Sequence, residues 1–454
     1  MPDVSAIVKA YDVRGTVPDQ LNPEVARLFG AAFADLVGGP AVVIAYDMRP
    51  SSPDLADAFA EGVTSQGVDA VIAGLGSTDL LYFASGKLGL PGAMFTASHN
   101  PAQYNGIKLC LAGAAPVGQD TGLGTLRDAV NAGGPAPKDT RGSVTRQELL
   151  AEYAAHMHAL VDVSGSRPLK VVVDAGNGMG GLTVPAVFEG LPLDVTPLYF
   201  ELDGTFPNHE ANPIEPANLV DLQKAVLENA ADIGLAFDGD ADRCFVVDER
   251  GQVVSPSAIT ALVAARELRR APGSAVIHNL ICSRSVPEVI RENGGTPVRT
   301  RVGHSFIKAE MAATNAVFGG EHSGHFYFRD FWRADSGMLA ALHVLASLGA
   351  QDGPLSALLA AYDRYAASGE INTRVADARA TMAAVEAAYA GRDGVEVDHL
   401  DGLTVSAAAW WFNLRPSNTE PLLRLNAEAV DTTTMVQLRD EVLALVRGPE
   451  GASA

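Results

Sequence analysis

Cysteine is nearly missing from the 454-residue chain, which has only Cys110, Cys244 and Cys282. An odd number at wide spacings builds no disulfide framework, fits free thiols in a reducing compartment and offers no Cys-based zinc pattern. No apolar run reaches the roughly 18 residues that a spanning helix needs, so no membrane span is expected. The stretch 1–15 lacks a basic segment followed by an apolar one, so no secretory signal is read and the expected location is cytoplasmic. Positive charge is scarce too: 33 Lys and Arg stand against 54 Asp and Glu, a net charge of −21. That balance repels nucleic acid and anionic lipid, which excludes both as expected partners. An anionic substrate would be repelled as well unless the basic residues gather in one cleft. Tandem repeats and low-complexity tracts are also lacking.

What is present is a core-forming composition, 47% hydrophobic and 19% charged. The length alone suggests about three domains. Strand-like apolar runs alternate with amphipathic runs, the pattern of βαβ units. Strands are expected at Ala41–Tyr46, Ala70–Ala73, Leu169–Asp174 and Ser274–Asn279, and helices at Pro23–Leu36, Pro53–Gln66 and Asp335–Leu348. Thr145 and Glu148 have capping-box spacing and predict a helix running to about Val161. The last part changes texture. Helices are expected at Asp377–Ala390 and Thr432–Val446, with strand-like runs Gly402–Ala407, Ala409–Leu414 and Pro421–Ala427 between them. The expected fold class is α/β: three similar α/β domains at 1–147, 148–253 and 254–367, then a smaller C-terminal α+β domain at 368–454.

Four short stretches carry chemistry. Thr96-Ala97-Ser98-His99-Asn100-Pro101 presents a hydroxyl after an apolar run, where α/β proteins place ligands. A serine needs a base or metal to become a nucleophile; His99 is adjacent and Lys108 follows ten residues on. The alternative is an ordinary turn, since Ser, Asn and Pro favour turns. Asp238-Gly239-Asp240-Ala241-Asp242-Arg243 sets three carboxylates at every second position between two strand-like runs, able to converge on one hard cation. Asp238, Asp240, Asp242 and Glu249 also match EF-hand ligand positions, but Arg243 stands where that loop needs glycine. Gly320-Glu321-His322-Ser323-Gly324-His325 suits sugar hydroxyls and proton transfer. Arg415-Pro416-Ser417-Asn418-Thr419-Glu420-Pro421 offers a guanidinium, hydroxyls and an amide to a phosphate, or is a plain turn. A fifth stretch, Gly176-Asn177-Gly178-Met179-Gly180-Gly181, satisfies G-x-G-x-x-G after a strand, with Glu201 twenty residues on. It allows a second class of function, an NAD-dependent oxidoreductase, beside the plainer reading of a glycine-rich turn.

In this order and at these separations, the four motifs resemble the α-D-phosphohexomutase family across essentially the whole chain. Lys9-Ala10-Tyr11-Asp12-Val13-Arg14-Gly15, Phe206-Pro207-Asn208-His209 and Arg301-Val302-Gly303-His304-Ser305 add to the likeness. The sugar loop running into Tyr327-Phe328-Arg329-Asp330-Phe331 is most similar to bacterial phosphomannomutases. The resemblance implies four domains around a central cleft. It implies a phosphorylated Ser98, and Mg²⁺ on Asp238, Asp240 and Asp242 with a phosphoserine oxygen. It implies Arg14, His99, Lys108, Arg243, His304 and His325 along the catalytic cleft, and substrate contacts from Tyr11, Glu321, Ser323, Arg415, Ser417, Asn418 and Thr419. The expected reaction interconverts mannose 1-phosphate and mannose 6-phosphate through a hexose 1,6-bisphosphate, which also serves as activator. Glucose phosphates, alone or in dual use, are the alternative, and glucosamine phosphate a further one.

Overall fold

The computed structural model describes residues 3–416 and 422–448, with the side chains of Asp120, His304 and Ser305 outside that description. Four sheets follow one another along the chain. In the first, Val144–Arg146, Asp69–Leu75, Ala41–Tyr46 and Gly92–Phe95 run parallel, and Tyr104–Leu111 and Val13–Thr16 continue antiparallel. In the second, Leu193–Leu198, Leu169–Asp174 and Ile233–Phe237 are parallel, then Cys244–Asp248 and Val253–Val254 turn back. In the third, Thr296–Thr300, Ala275–Asn279 and Phe318–Gly320 are parallel, then Phe326–Phe328 and Ala334–Asp335 turn back. The first three units therefore share one plan, and the turn after the last parallel strand recurs at 96–103, 238–243 and 321–325. Each of these turns holds one of the sequence motifs.

The fourth sheet is antiparallel throughout, in the order Ala366–Arg374, Leu422–Ala429, Trp410–Pro416, Leu403–Ser406 and Glu396–Asp398. It has its own core of Val385, Tyr389, Phe412, Leu425 and Val442. A single larger core instead runs through the first three units, from Val43 and Leu81 through Tyr153 and Leu235 to Leu342. Phe83 of the first unit meets Tyr153 of the second and Trp332 of the third with ring centroids 6.0 and 6.3 Å apart. The fourth unit is joined to the third by Arg284, whose guanidinium donates to the carbonyls of Ala407, Ala408 and Trp410. Among the described residues, no helix is long and apolar enough to cross a membrane.

Three expectations need correcting. Thr145 does not cap a helix. Val144–Arg146 joins the sheet edge beside Asp69–Leu75, so its backbone groups are committed to strand pairing, and the helix starts at Leu150 with no side-chain cap. Asp335 likewise ends a short strand, and Ser336 caps the helix Gly337–Gly349 by accepting from Leu339 N at 3.0 Å. Ala366–Arg374 is a strand the sequence did not suggest, because Ile371 is its only large apolar side chain and no residue in it is fully buried; it crosses the expected boundary at 367/368.

Candidate active site

The first turn is shaped from its backbone outward. Ser98 takes a positive φ of 50°, a conformation uncommon for a side-chain-bearing residue. Its N–H donates to Thr96 Oγ1 at 2.9 Å, and Asn100 N–H donates to Ala97 O at 3.0 Å. Arg49 holds the whole turn. Its buried guanidinium donates to the carbonyls of Ser98 (3.0 Å), Asn100 (2.6 Å), Pro101 (2.9 Å) and Tyr104 (2.8 Å), while Asp47 lies 3.3 Å from its Nε. Arg14 adds bonds to Ala97 O at 2.9 Å and Asn100 Oδ1 at 2.7 Å. The Ser98 hydroxyl points away from this clamp, donating to Asp238 Oδ2 at 2.8 Å with His99 Nδ1 at 3.1 Å. Burial, then the cations Arg243 and Arg14, press the His99 pKa well below its usual value, so its ring is neutral.

The second turn brings Asp238, Asp240 and Asp242 together, all buried, with ligand atoms within 4.8 Å of one another. The period-two spacing and a positive φ at Ala241 (58°) turn them the same way. Arg243 donates to Asp238 through its backbone N–H (3.1 Å) and Nε (2.8 Å). Lys108 Nζ bridges Asp240 Oδ2 and Asp242 Oδ2, at 2.6 Å from each. Thr78 Oγ1 also donates to Asp240 Oδ2, at 2.6 Å. The second oxygens, Asp240 Oδ1 and Asp242 Oδ1, are buried and accept no hydrogen bond among the described residues. Burial raises Asp240, but Lys108 outweighs it and holds the group well below the usual carboxylate range. Burial and then Asp240 push Asp242 up to about 7. One ammonium thus does not satisfy the pair, and two orphaned hard oxygens beside the Ser98 hydroxyl fit a small divalent cation.

The third turn is tied to the second by an isolated bridge between Arg243 and His325. Glu321 accepts from Gly303 N–H at 3.2 Å and from Ser323 Oγ at 2.9 Å. His325 Nδ1 sits 3.0 Å from Asp335 Oδ2, and Lys308 Nζ 2.8 Å from Asp335 Oδ1. Burial lowers the His325 pKa, but Asp242 and Asp335 outweigh it and raise the group above its ordinary value. Tyr11, Lys108, Asp242, Lys308 and Asp335 share the wall of one narrow cavity of about 30 Å³.

On the fourth unit, Arg415 and Arg424 flank Glu370 at 3.8 and 3.4 Å, and the Nε of each is buried with no hydrogen-bond partner among the described residues. Burial lowers the Arg415 pKa against the opposing pull of Asp401, Glu370 and, from the third unit, Glu321. Ser417, Asn418 and Thr419 lie outside the described residues, as does the side chain of His304, which opens the helix His304–Thr314.

The structure thus gathers Arg14, Ser98, His99, Lys108, the three aspartates, Arg243 and His325 around one point, with Tyr11, Glu321 and Ser323 beside it. The sequence reading missed Arg49, Thr78, Lys308 and Asp335. Arg49 acts on carbonyls, which leave no mark in a sequence, whereas an Asp ten residues after His325 was visible without any spacing rule to select it. The glycine-rich turn is spent on packing. A Cβ on Gly178 would lie 2.7 Å from Gly239 O, and one on Gly181 2.2 Å from Phe200 O, while Met179 N–H donates to Gly239 O at 2.9 Å. It supports the acidic turn from below and leaves a dinucleotide no room at those glycines.

Comparison with known proteins agrees with this geometry. The family models for the phosphoglucomutase/phosphomannomutase alpha/beta/alpha domains I, II and III match residues 5–133, 151–251 and 255–365, and that for the C-terminal domain matches 370–445. A protein of Xanthomonas campestris named "Phosphohexose mutases" is 41% identical over 97% of this chain and 99% of its own length. A phosphomannomutase of Salmonella montevideo is 40% identical over 96% of this chain and 98% of its own. The crystal structure of a phosphoglucomutase/phosphomannomutase family protein from Burkholderia thailandensis superimposes with a TM-score of 0.89 at 33% identity, covering 100% of this chain and 99% of that one.

Proposed function

The chain belongs to the phosphoglucomutase/phosphomannomutase family, the α-D-phosphohexomutases, and we propose that it interconverts mannose 1-phosphate and mannose 6-phosphate through a phosphorylated Ser98. The observation that carries the reading is the Ser98 hydroxyl, presented by a clamped turn and donating to Asp238 at 2.8 Å.

In the forward half-reaction the P–O bond to Ser98 breaks as the substrate's free hydroxyl oxygen binds that phosphorus. The hydroxyl proton passes to His325, which Asp335 orients, and the serine oxygen released from phosphorus takes up a proton on the side of His99 and Asp238. The bisphosphate turns over in the cleft. Its other phosphate then returns to Ser98, the sugar oxygen left behind takes a proton, and the serine proton leaves toward Asp238 or His99. Lys108, Arg14 and Arg243 offset the charge on the transferring group, which is most of what phosphoryl transfer asks of a protein. Asp238, Asp240 and Asp242 would hold Mg²⁺, which supplies charge neutralisation and alignment at the phosphoryl oxygens. Glu321 and Ser323 would accept and donate to sugar hydroxyls. Tyr11, Arg415 and the residues 417–419 would hold the phosphate that does not react, with His304 near by. A trace of hexose 1,6-bisphosphate keeps Ser98 charged when an intermediate escapes.

Phosphorus-31 NMR of mannose 1-phosphate with enzyme, Mg²⁺ and a trace of hexose 1,6-bisphosphate tests this. The signal should move to the 6-phosphate position; free phosphate instead would make Ser98 part of a phosphatase. The name of the Xanthomonas relative supports running glucose 1-phosphate alongside.

A further inference from the structure

Three consecutive residues, Ser77, Thr78 and Asp79, open the helix Thr78–Leu88 of the first unit. Asp79 is wholly buried and pairs with no cation among the described residues. It accepts instead from three hydroxyls: Ser77 beside it, Tyr153 of the second unit at 2.8 Å and Ser336 of the third at 2.7 Å. A buried carboxylate without a counter-charge opposes folding even when hydrogen-bonded, and an apolar residue of its size would hold such a junction more stably. The arrangement fixes something other than stability. The preceding residue shows what: Thr78 N–H donates to Asp240 O at 3.0 Å, and Thr78 Oγ1 to Asp240 Oδ2 at 2.6 Å. Backbone and side chain of the acidic turn are thereby gripped from the first unit, and Asp240 Oδ1 is left open on the site. Ser98 and Lys108 come from that same first unit. One tripeptide therefore sets the height of the acidic turn against the serine turn.

We propose that Thr78 is a positioning residue that orients Asp240 for the divalent cation, and that Asp79 acts through Thr78 by locking its helix end to the second and third units. The proposal rests on Asp240 being a metal ligand.

The test is Mn²⁺ binding followed by the loss of its free electron-paramagnetic-resonance signal, without sugar phosphate, on whole enzyme. Asp240→Asn serves as the control. Thr78→Val should raise the Mn²⁺ Kd about tenfold or more, the usual effect of losing a partner of a metal ligand, and Thr78→Ser should restore it. Asp79→Asn should weaken binding in the same direction, and the double variant Thr78→Val/Asp79→Asn should bind no worse than Thr78→Val, because the two act in series. Unchanged Kd in Thr78→Val, even with a lowered Tm, overturns the role of Thr78. Multiplicative effects in the double variant overturn the series. If Asp240→Asn binds Mn²⁺ as well as the unaltered enzyme, the assignment of the metal ligands fails first, and this inference with it.

Discussion

Ser98 Oγ and Asp238 Oδ2 lie 2.8 Å apart across the seam between the first and second units, although 140 positions separate them in the chain. The two turns touch through their backbones as well, since a Cβ on Gly239 would stand 2.4 Å from Ser98 O. The serine turn and the acidic turn are thus one object built from two units. Replacing Ser98 with Ala should abolish phosphoenzyme, seen as loss of the phosphorylated species in intact-mass spectra after bisphosphate treatment. Activity should fall by roughly 10³-fold or more. A phosphorylated Ser98→Ala protein would place the carrier elsewhere.

Lys108 already bridges Asp240 and Asp242, and Arg243 already meets Asp238, so the acidic turn keeps cationic partners without metal. Chelation should therefore remove turnover while moving Tm by no more than about 2–4 °C. Asp240→Asn should cost about 10²-fold or more in kcat and flatten the Mg²⁺ dependence. Unaltered kcat would remove Asp240 from the site.

Arg49→Lys should be far from conservative. A single ammonium cannot reach four carbonyls, and unsatisfied buried acceptors cost about 1–3 kcal/mol. The expected signature is a lowered kcat with KM nearly unchanged, because the Arg49 guanidinium is buried beneath the turn and spent on its carbonyls. A rise in KM alone would show that Arg49 meets substrate.

Arg415→Ala should act the other way. The loss of a charge-assisted contact of about 2–3 kcal/mol should raise KM by about 30- to 150-fold and spare kcat. Steady-state kinetics on mannose 1-phosphate decides it, and a collapse of kcat at constant KM would falsify the assignment.

Asp79 has a pH signature. Burial, only partly offset by the three hydroxyls, raises it to about 6, so the folded chain holds this proton more tightly than the unfolded one. Its contribution to stability is greatest below an unfolded pKa of about 3.9 and declines as pH rises through about 6. Asn does not titrate. The Tm advantage of the unaltered protein over Asp79→Asn should accordingly shrink between about pH 4.5 and about pH 7.5. A gap that widens over that range contradicts the assignment.

Legibility in the sequence followed the kind of signal each residue leaves. Ala41–Tyr46 was readable to the residue because a continuous apolar run of that length has one use in an α/β fold, and Leu169–Asp174 because three valines follow the lone exposed Lys170 and end at an aspartate. The motif turns were readable because side chains do their chemistry. Thr145 misled because its spacing to Glu148 obeys a local rule that sheet pairing overrode. Asp79 was invisible for a different reason: an acid in the first turn of a helix is ordinary, and only the assembled units reveal Tyr153 and Ser336 converging on it.

The three hairpins of the α/β units have a practical corollary. The serine turn, the acidic turn and the turn 321–325 are each the tip of a hairpin on a separate sheet. The turn 321–325 is therefore open to grafting: exchanging it for that of a relative while keeping His325 should change the groups offered to a sugar and leave the hairpins at 96–103 and 238–243 as they were.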